Sequence, residues 1–275
     1  MADKTITRRG RLQGKVCIVT GAGSPRGIGW STIKRFADEG TRHIYAADIN
    51  PANFVALREA FEETYKDAKI TFVQADATDE SAIQGLCERA LKETGRLDVF
   101  FANAGIFGPL TPYDQTPLPD VVELLRVNVG SAFLAVKYAS TAMTEVNEAS
   151  GKVKSGGVVI LTGSNSGLCG SKTGMGYSAS KAAIHNLAKT GAYENASRGT
   201  GVRVNAIAPG PVGTDFLPAH LQPYVSTRPD IFCGPAEIAD AVLFLASDES
   251  IFVNGQTVAA DNGVTGGLYL EKLLD

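Results

Sequence analysis

Tyr177 and Lys181 stand four residues apart in Gly-Tyr-Ser-Ala-Ser-Lys (176–181), and Ser164 precedes the tyrosine by thirteen residues. On a helix, positions i and i+4 project from one face, so phenol and ammonium would share a site. A lysine there favours the phenolate and would let the tyrosine exchange a proton well below its ordinary pKa of about 10. Ser164 could then hold a carbonyl or alcohol oxygen beside the phenol. Such a set moves a proton while another group moves a hydride. Taken alone, Tyr-x-x-x-Lys is common and usually marks a helix surface pair, so other elements must supply a hydride carrier.

Short apolar runs alternate with amphipathic stretches along the chain. Val16–Thr20, His43–Ala47, Ile70–Ala75, Leu97–Ala102, Val158–Thr162, Val202–Ile207 and Thr257–Ala260 read as strands. Most are apolar throughout, as expected where both faces of a parallel sheet are covered. Ile28–Glu39, Pro51–Tyr65, Glu80–Glu93, Leu118–Met143, Gly176–Ser197 and Pro235–Ala246 carry helical periodicity. The alternation predicts an α/β, doubly wound Rossmann fold, a seven-stranded parallel sheet flanked by helices on both faces. Residues 1–14 read as a polar arm and 15–275 as a single domain. Thr144–Ser155 reads as a surface loop, and the proline-rich segment 211–234 as a flap over the carboxyl ends of the strands.

In Val-Cys-Ile-Val-Thr-Gly-Ala-Gly-Ser-Pro-Arg-Gly-Ile-Gly (16–29), a strand runs into a glycine-rich turn that opens a helix. Gly21, Gly27 and Gly29 let the backbone approach a pyrophosphate, and the free N–H groups around Ile28 attract it. The second strand leads to Asp48-Ile49. A carboxylate there can accept both ribose hydroxyls and repels a 2′-phosphate, favouring NAD over NADP. Arg26 argues the other way, because a guanidinium in the turn can pair with that phosphate.

Together these residues resemble the short-chain dehydrogenase/reductase family over Lys15 to Gly263. Thr20-Gly21, Gly27 and Gly29 are similar to the family's glycine turn, with two extra residues between the first two matched glycines. Asp76, followed by Ala77, matches the acid beside the adenine, and Asn103-Ala104-Gly105 matches the segment that lines the cofactor. Pro209-Gly210-Pro-Val212-Gly-Thr214 is similar to the motif whose Val and Thr touch the nicotinamide carboxamide. Asn128, Ser164, Tyr177 and Lys181 match the catalytic set. The resemblance implies Tyr177 as acid/base, Lys181 as its tuner and a ribose ligand, Ser164 holding the substrate oxygen, and Asn128 holding a relay water. Read without the family, Asn128 is a helix residue bonding to backbone, and Asp215 is a helix cap in the flap.

The pocket implied by the family would draw on Phe107, Ser166, Leu168, Phe216, Leu217 and Tyr224. That lining suits an apolar secondary alcohol or its ketone, alicyclic, terpenoid or steroid-like. Carrier-bound or CoA-type 3-oxoacyl substrates are the rival, and a non-catalytic nucleotide sensor is a further one. The resemblance also implies a homotetramer or homodimer. A net charge of −3 gives no electrostatic case for nucleic acid or an anionic membrane. The polar N-terminus and the absence of a spanning apolar run predict a soluble, cytoplasmic protein. The scattered Cys17, Cys87, Cys169 and Cys233 and the isolated histidines predict neither disulfides nor a metal site.

Overall fold

The computed structural model describes residues 10–170 and 173–266. Seven parallel strands form one sheet in the order β3-β2-β1-β4-β5-β6-β7. They are β1 (Val16–Thr20), β2 (His43–Asp48), β3 (Lys69–Gln74), β4 (Val99–Ala102), β5 (Gly157–Thr162), β6 (Val202–Pro209) and β7 (Thr257–Ala260). Alternate residues of a strand face opposite sides, and here both sides are covered. Cys17 and Val19 join a core with Trp30, Phe36 and Leu243, whereas Val16 and Ile18 join another with Leu86, Ala139 and Ile184.

The helices that close these two layers are α1 (Ile28–Asp38), α2 (Phe54–Thr64), α3 (Glu80–Thr94), α4 (Leu118–Leu124), α5 (Ser131–Met143), α6 (Met175–Ser197) and α7 (Pro235–Ala246). Strand order reverses between β1 and β4. In register, Val19 lies opposite both Ala46 and Phe101. The chain therefore leaves β1 and β4 in opposite lateral directions, which opens a crevice beyond their carboxyl ends. The residues read from sequence as chemical gather along this edge.

Three expectations need correction. Leu118–Met143 is not one regular helix, because residues Leu125–Gly130 form a π turn between α4 and α5. Asn128 sits in that turn with both ends of its amide bonded outside the helix, and such insertions re-aim a side chain at the expense of regular packing. Thr144–Ser155 is not simply a surface loop. Lys152 is buried there, its Nζ donating to Leu97 O at 2.6 Å and Met143 O at 2.8 Å. Strand β4 begins at Val99 rather than Leu97; just before it, the Asp98 carboxylate accepts the Val16 N–H at 2.8 Å and pairs with Arg96.

Of the residues read as an arm, 10–14 are described, and they lie against the end of α1. Leu12 is fully buried, and its N–H donates to Glu39 O at 3.0 Å. Residues 1–9 lie outside the described residues. Among the described residues, no helix is long and apolar enough to cross a membrane.

Candidate active site

The crevice holds a cavity of about 460 Å³, bordered by the β1–α1 turn, the ends of β4, β5 and β6, the start of α6 and the flap. Its floor is built by side chains that tie the strand ends together. Asn103 Nδ2 donates to Thr20 O at 3.2 Å and Gly21 O at 3.1 Å, and Asn103 Oδ1 accepts from Thr162 Oγ1 at 3.3 Å. Thr20 Oγ1 accepts the N–H groups of Asn103 and Ala104. Gly21 has φ 66°, and a Cβ there would come within 2.9 Å of the Ala104 backbone. Only glycine fits both that conformation and that contact.

The N-terminus of α1 faces the cavity through Gly27 and Ile28. No side chain caps this end, and no acidic residue stands in its first turn. The first N–H groups of a helix lack partners within it, so they form a ready anion site. Asp48 borders the same cavity. Its Oδ2 accepts Gly23 N–H at 2.7 Å and its Oδ1 accepts Asn50 N–H at 2.9 Å. A carboxylate fixed beside an anion site is the donor and acceptor set that a dinucleotide's ribose and pyrophosphate require. Ile49 is exposed nearby. Asp76 Oδ1 accepts from the N–H and Oγ1 of Thr78, and Arg126 donates to Thr78 Oγ1 at 2.6 Å, so this acid is tied into its own turn.

At the other end of the cavity, α6 delivers Tyr177 and Lys181 on one buried face. Tyr177 and Ser164 border the cavity together; Ser164 Oγ accepts Ser166 N–H at 3.1 Å and donates to Asn165 Oδ1 at 3.4 Å. Ser166 thus supports the Ser164 oxygen from the backbone. Lys181 Nζ donates to Thr162 O at 2.8 Å and lies 5.6 Å from the centre of the Tyr177 ring. Asn128 Oδ1 accepts Ile106 N–H at 2.8 Å, and its Nδ2 donates to Ile106 O and Ser180 Oγ, both at 3.0 Å. Its amide therefore clamps the segment after β4 to α6, which is the backbone-bonded alternative.

Burial sets the charge balance at this end. Burial pushes the Tyr177 phenol up to about 12, with the Ser164 hydrogen bond opposing, and burial brings Lys181 down to about 8. Enclosure disfavours both charged forms, and the ammonium is directed at the Thr162 carbonyl.

Phe107, Ser166, Phe216 and Leu217 border the cavity, as does Leu221 from the flap. Phe107 packs 4.7 Å from the Tyr177 ring, and Phe216 meets Phe107 edge-on at 5.7 Å. Leu168 and Tyr224 are not part of this lining and are largely exposed. Along the motif after β6, Pro209, Gly210, Val212 and Thr214 all border the cavity, and Val212 is bridged to Cys233 across the base of the flap.

Two placements were not legible in the sequence. Arg26 does not border the cavity; its Nε donates to Asp215 Oδ1 at 2.8 Å, and Ser24 Oγ donates to Asp215 Oδ2 at 2.7 Å. Asp215 thus joins the flap to the glycine turn instead of capping a flap helix. His185, one turn beyond Lys181, is buried under the Ser164 loop. A Cβ on Gly163 would fall 2.3 Å from its Nε2, so the strand end can pass only as glycine. Spacing along α6 places His185 on the same face as Lys181, which is the signal that could have found it.

A profile of the family described as Enoyl-(Acyl carrier protein) reductase matches residues 21–265. The chain is 35% identical over 262 residues to 3beta-hydroxysteroid dehydrogenase 2 of Eggerthella lenta, covering 92% of this chain and 95% of the relative. It is 34% identical to cis-4-hydroxycyclohexanecarboxylate dehydrogenase of Sinomonas cyclohexanicum, covering 91% of this chain and 96% of the relative. A short-chain dehydrogenase of Mycobacterium paratuberculosis solved bound to NAD superposes with a TM-score of 0.77 at 28% identity, covering 94% of this chain and all of that one. The chain belongs to the short-chain dehydrogenase/reductase family and is an oxidoreductase of alcohol and carbonyl groups.

Proposed function

We propose that this protein interconverts an apolar, ring-bearing secondary alcohol and its ketone, using NAD, with Tyr177 as the acid/base. The observation that carries this reading is that Tyr177 and Ser164 border one cavity with the apolar side chains of Phe107, Phe216, Leu217 and Leu221. Those walls remove water and offer no cation for a carboxylate or phosphate.

When bound, the nicotinamide ring supplies the hydride acceptor or donor. The protein's residues do the rest. Ser164 orients the substrate oxygen toward the phenol. Tyr177 takes the hydroxyl proton in oxidation, as phenolate, and returns it in reduction, as phenol. Lys181 lies deep enough to contact the nicotinamide ribose, and its charge favours the phenolate whenever the two approach. Asn128 keeps α6 and the segment after β4 in fixed relation, and a water on its backbone side would connect Lys181 to solvent. The carboxylate of Asp48, held by the Gly23 N–H, supports NAD over its 2′-phosphorylated form.

The two curated relatives named above are dehydrogenases of ring-borne hydroxyls, which supports a cyclic substrate. The family description, with its carrier-bound substrate, supports the rival 3-oxoacyl reading. One assay separates them: the purified protein with NAD or NADP and a panel of steroid, alicyclic and terpenoid alcohols, alongside 3-hydroxyacyl thioesters, followed at the nicotinamide absorbance. Turnover of thioesters alone would replace the cyclic substrate. Binding of neither nucleotide would overturn the whole reading.

A further inference from the structure

We infer that Asp215 is a determinant of cofactor choice, acting by holding Arg26 away from the adenosine ribose. The inference rests on the NAD reading above and extends it to a residue outside every cofactor motif. Two residues of the glycine-rich turn and its neighbour strand oppose each other. Asp48 would repel a 2′-phosphate, whereas a guanidinium in the turn would attract one. The backbone brings them close: Gly23 N–H binds the Asp48 carboxylate at 2.7 Å, and a turn closed by Gly27 N–H on Ser24 O keeps Arg26 beside Ser24.

The flap settles the opposition. Asp215 Oδ1 accepts from Arg26 Nε at 2.8 Å and from the guanidinium's NH2, while its Oδ2 accepts from Ser24 Oγ at 2.7 Å. These bonds hold the Asp215 carboxyl below its ordinary range, as expected of a carboxylate that accepts from Arg26 and Ser24. Both partners are substantially exposed, which makes the pair weak in stability terms and easily redirected. A carboxylate that neutralises and orients Arg26 leaves Asp48 as the unopposed charge at the ribose. Removing it would release a cation able to pair with a phosphate.

The test compares binding of 5′-AMP and 2′,5′-ADP by isothermal titration, and then kcat/KM for NAD and NADP, in the full chain. Wild type should prefer 5′-AMP and NAD; preference for the phosphorylated pair would sink the NAD reading itself. Asp215→Asn should raise the affinity ratio of 2′,5′-ADP to 5′-AMP about fivefold or more, the order expected of one new charged contact. Arg26→Gln alone should leave that ratio within about twofold of wild type, because Arg26 is already engaged. Asp215→Asn combined with Arg26→Gln should return it to the wild-type value. A wild-type NAD preference with no shift in Asp215→Asn, or a shift that survives loss of Arg26, would overturn this inference alone.

Discussion

Asn128 and Lys181 border the same point above Gly105: a Cβ built there would lie 2.9 Å from Asn128 Oδ1 and 3.6 Å from Lys181 Nζ. Gly105 and Asn128 are 23 positions apart in the chain, and Lys181 lies a further 53 positions on. Their meeting depends on the end of β4, the π turn and α6 arriving together. Gly105→Ala should therefore displace the Asn128 amide and lower kcat/KM by ~10-fold or more, since a contact under 3 Å forces the neighbour to move. Kinetics together with a melting curve check this; an unchanged kcat/KM would detach Asn128 from the active geometry.

Tyr177→Phe removes the proton carrier and leaves the ring packed against Phe107. Turnover should fall by ~10²- to 10⁴-fold, the usual contribution of a general acid/base. NADH binding, followed by fluorescence titration, should stay near wild type. A variant retaining a substantial share of wild-type kcat would sink the assignment of Tyr177.

Alcohol oxidation should rise with pH across the neutral-to-alkaline range. Burial holds Tyr177 as the neutral phenol, up to about 12, and oxidation uses its phenolate. Lys181, brought down to about 8 by burial, is charged below that value and favours the phenolate there. Lys181→Ala should lose rate and cofactor affinity together and move the rising limb of kcat/KM to higher pH. A limb that stays in place would mean the lysine does not influence the phenol.

Phe107 and Phe216 form an edge-on pair beside the reacting phenol, and Phe216 comes from the flap. Phe216→Ala should raise KM for a ring-bearing apolar alcohol by ~10-fold, in keeping with losing one aromatic contact on a site wall. The dissociation constant of NAD should change little. Equal losses for cyclic and short linear alcohols would show that the pair packs the flap without selecting substrate.

Two buried histidines link stability to acid. Burial brings both His43 and His185 down to about 4, below the ordinary value of 6.5. The folded state stays unprotonated while the unfolded chain takes up protons, so stability is full above 6.5 and falls as pH drops from there toward 4. The urea midpoint should decline through that window. His43→Gln should shallow the decline, because His43 stacks on Tyr45 away from the active site. A midpoint that is flat between pH 7 and 4 would contradict the buried neutral imidazoles.

Periodicity made the architecture legible. Continuous apolar runs separated by amphipathic stretches have one economical arrangement, a parallel sheet covered on both faces, and all seven expected strands are present, β1 and β7 with the expected ends and the others shifted by at most two residues. The break in Leu118–Met143 was hidden because a π turn retains helical composition. Lys152 was hidden for a similar reason: a loop rich in polar residues does not disclose that one ammonium turns inward to two carbonyls.

Local chemistry travels with the chain, so the sequence alone determined the parts of the site that lie on single elements: the Tyr177–Lys181 pair, the glycine-rich turn, and Asp48 at a strand end. Their assembly depended on the register of the sheet, which lines up Thr20, Asp48, Ala102 and Thr162 along one edge. Only the tertiary structure decided the electrostatics. Whether Tyr177 is raised or lowered depends on how deeply it is enclosed, and whether Arg26 meets a phosphate or a carboxylate depends on Asp215, 189 residues away. Burial and through-space charge are properties of the folded chain, and no spacing along it records them.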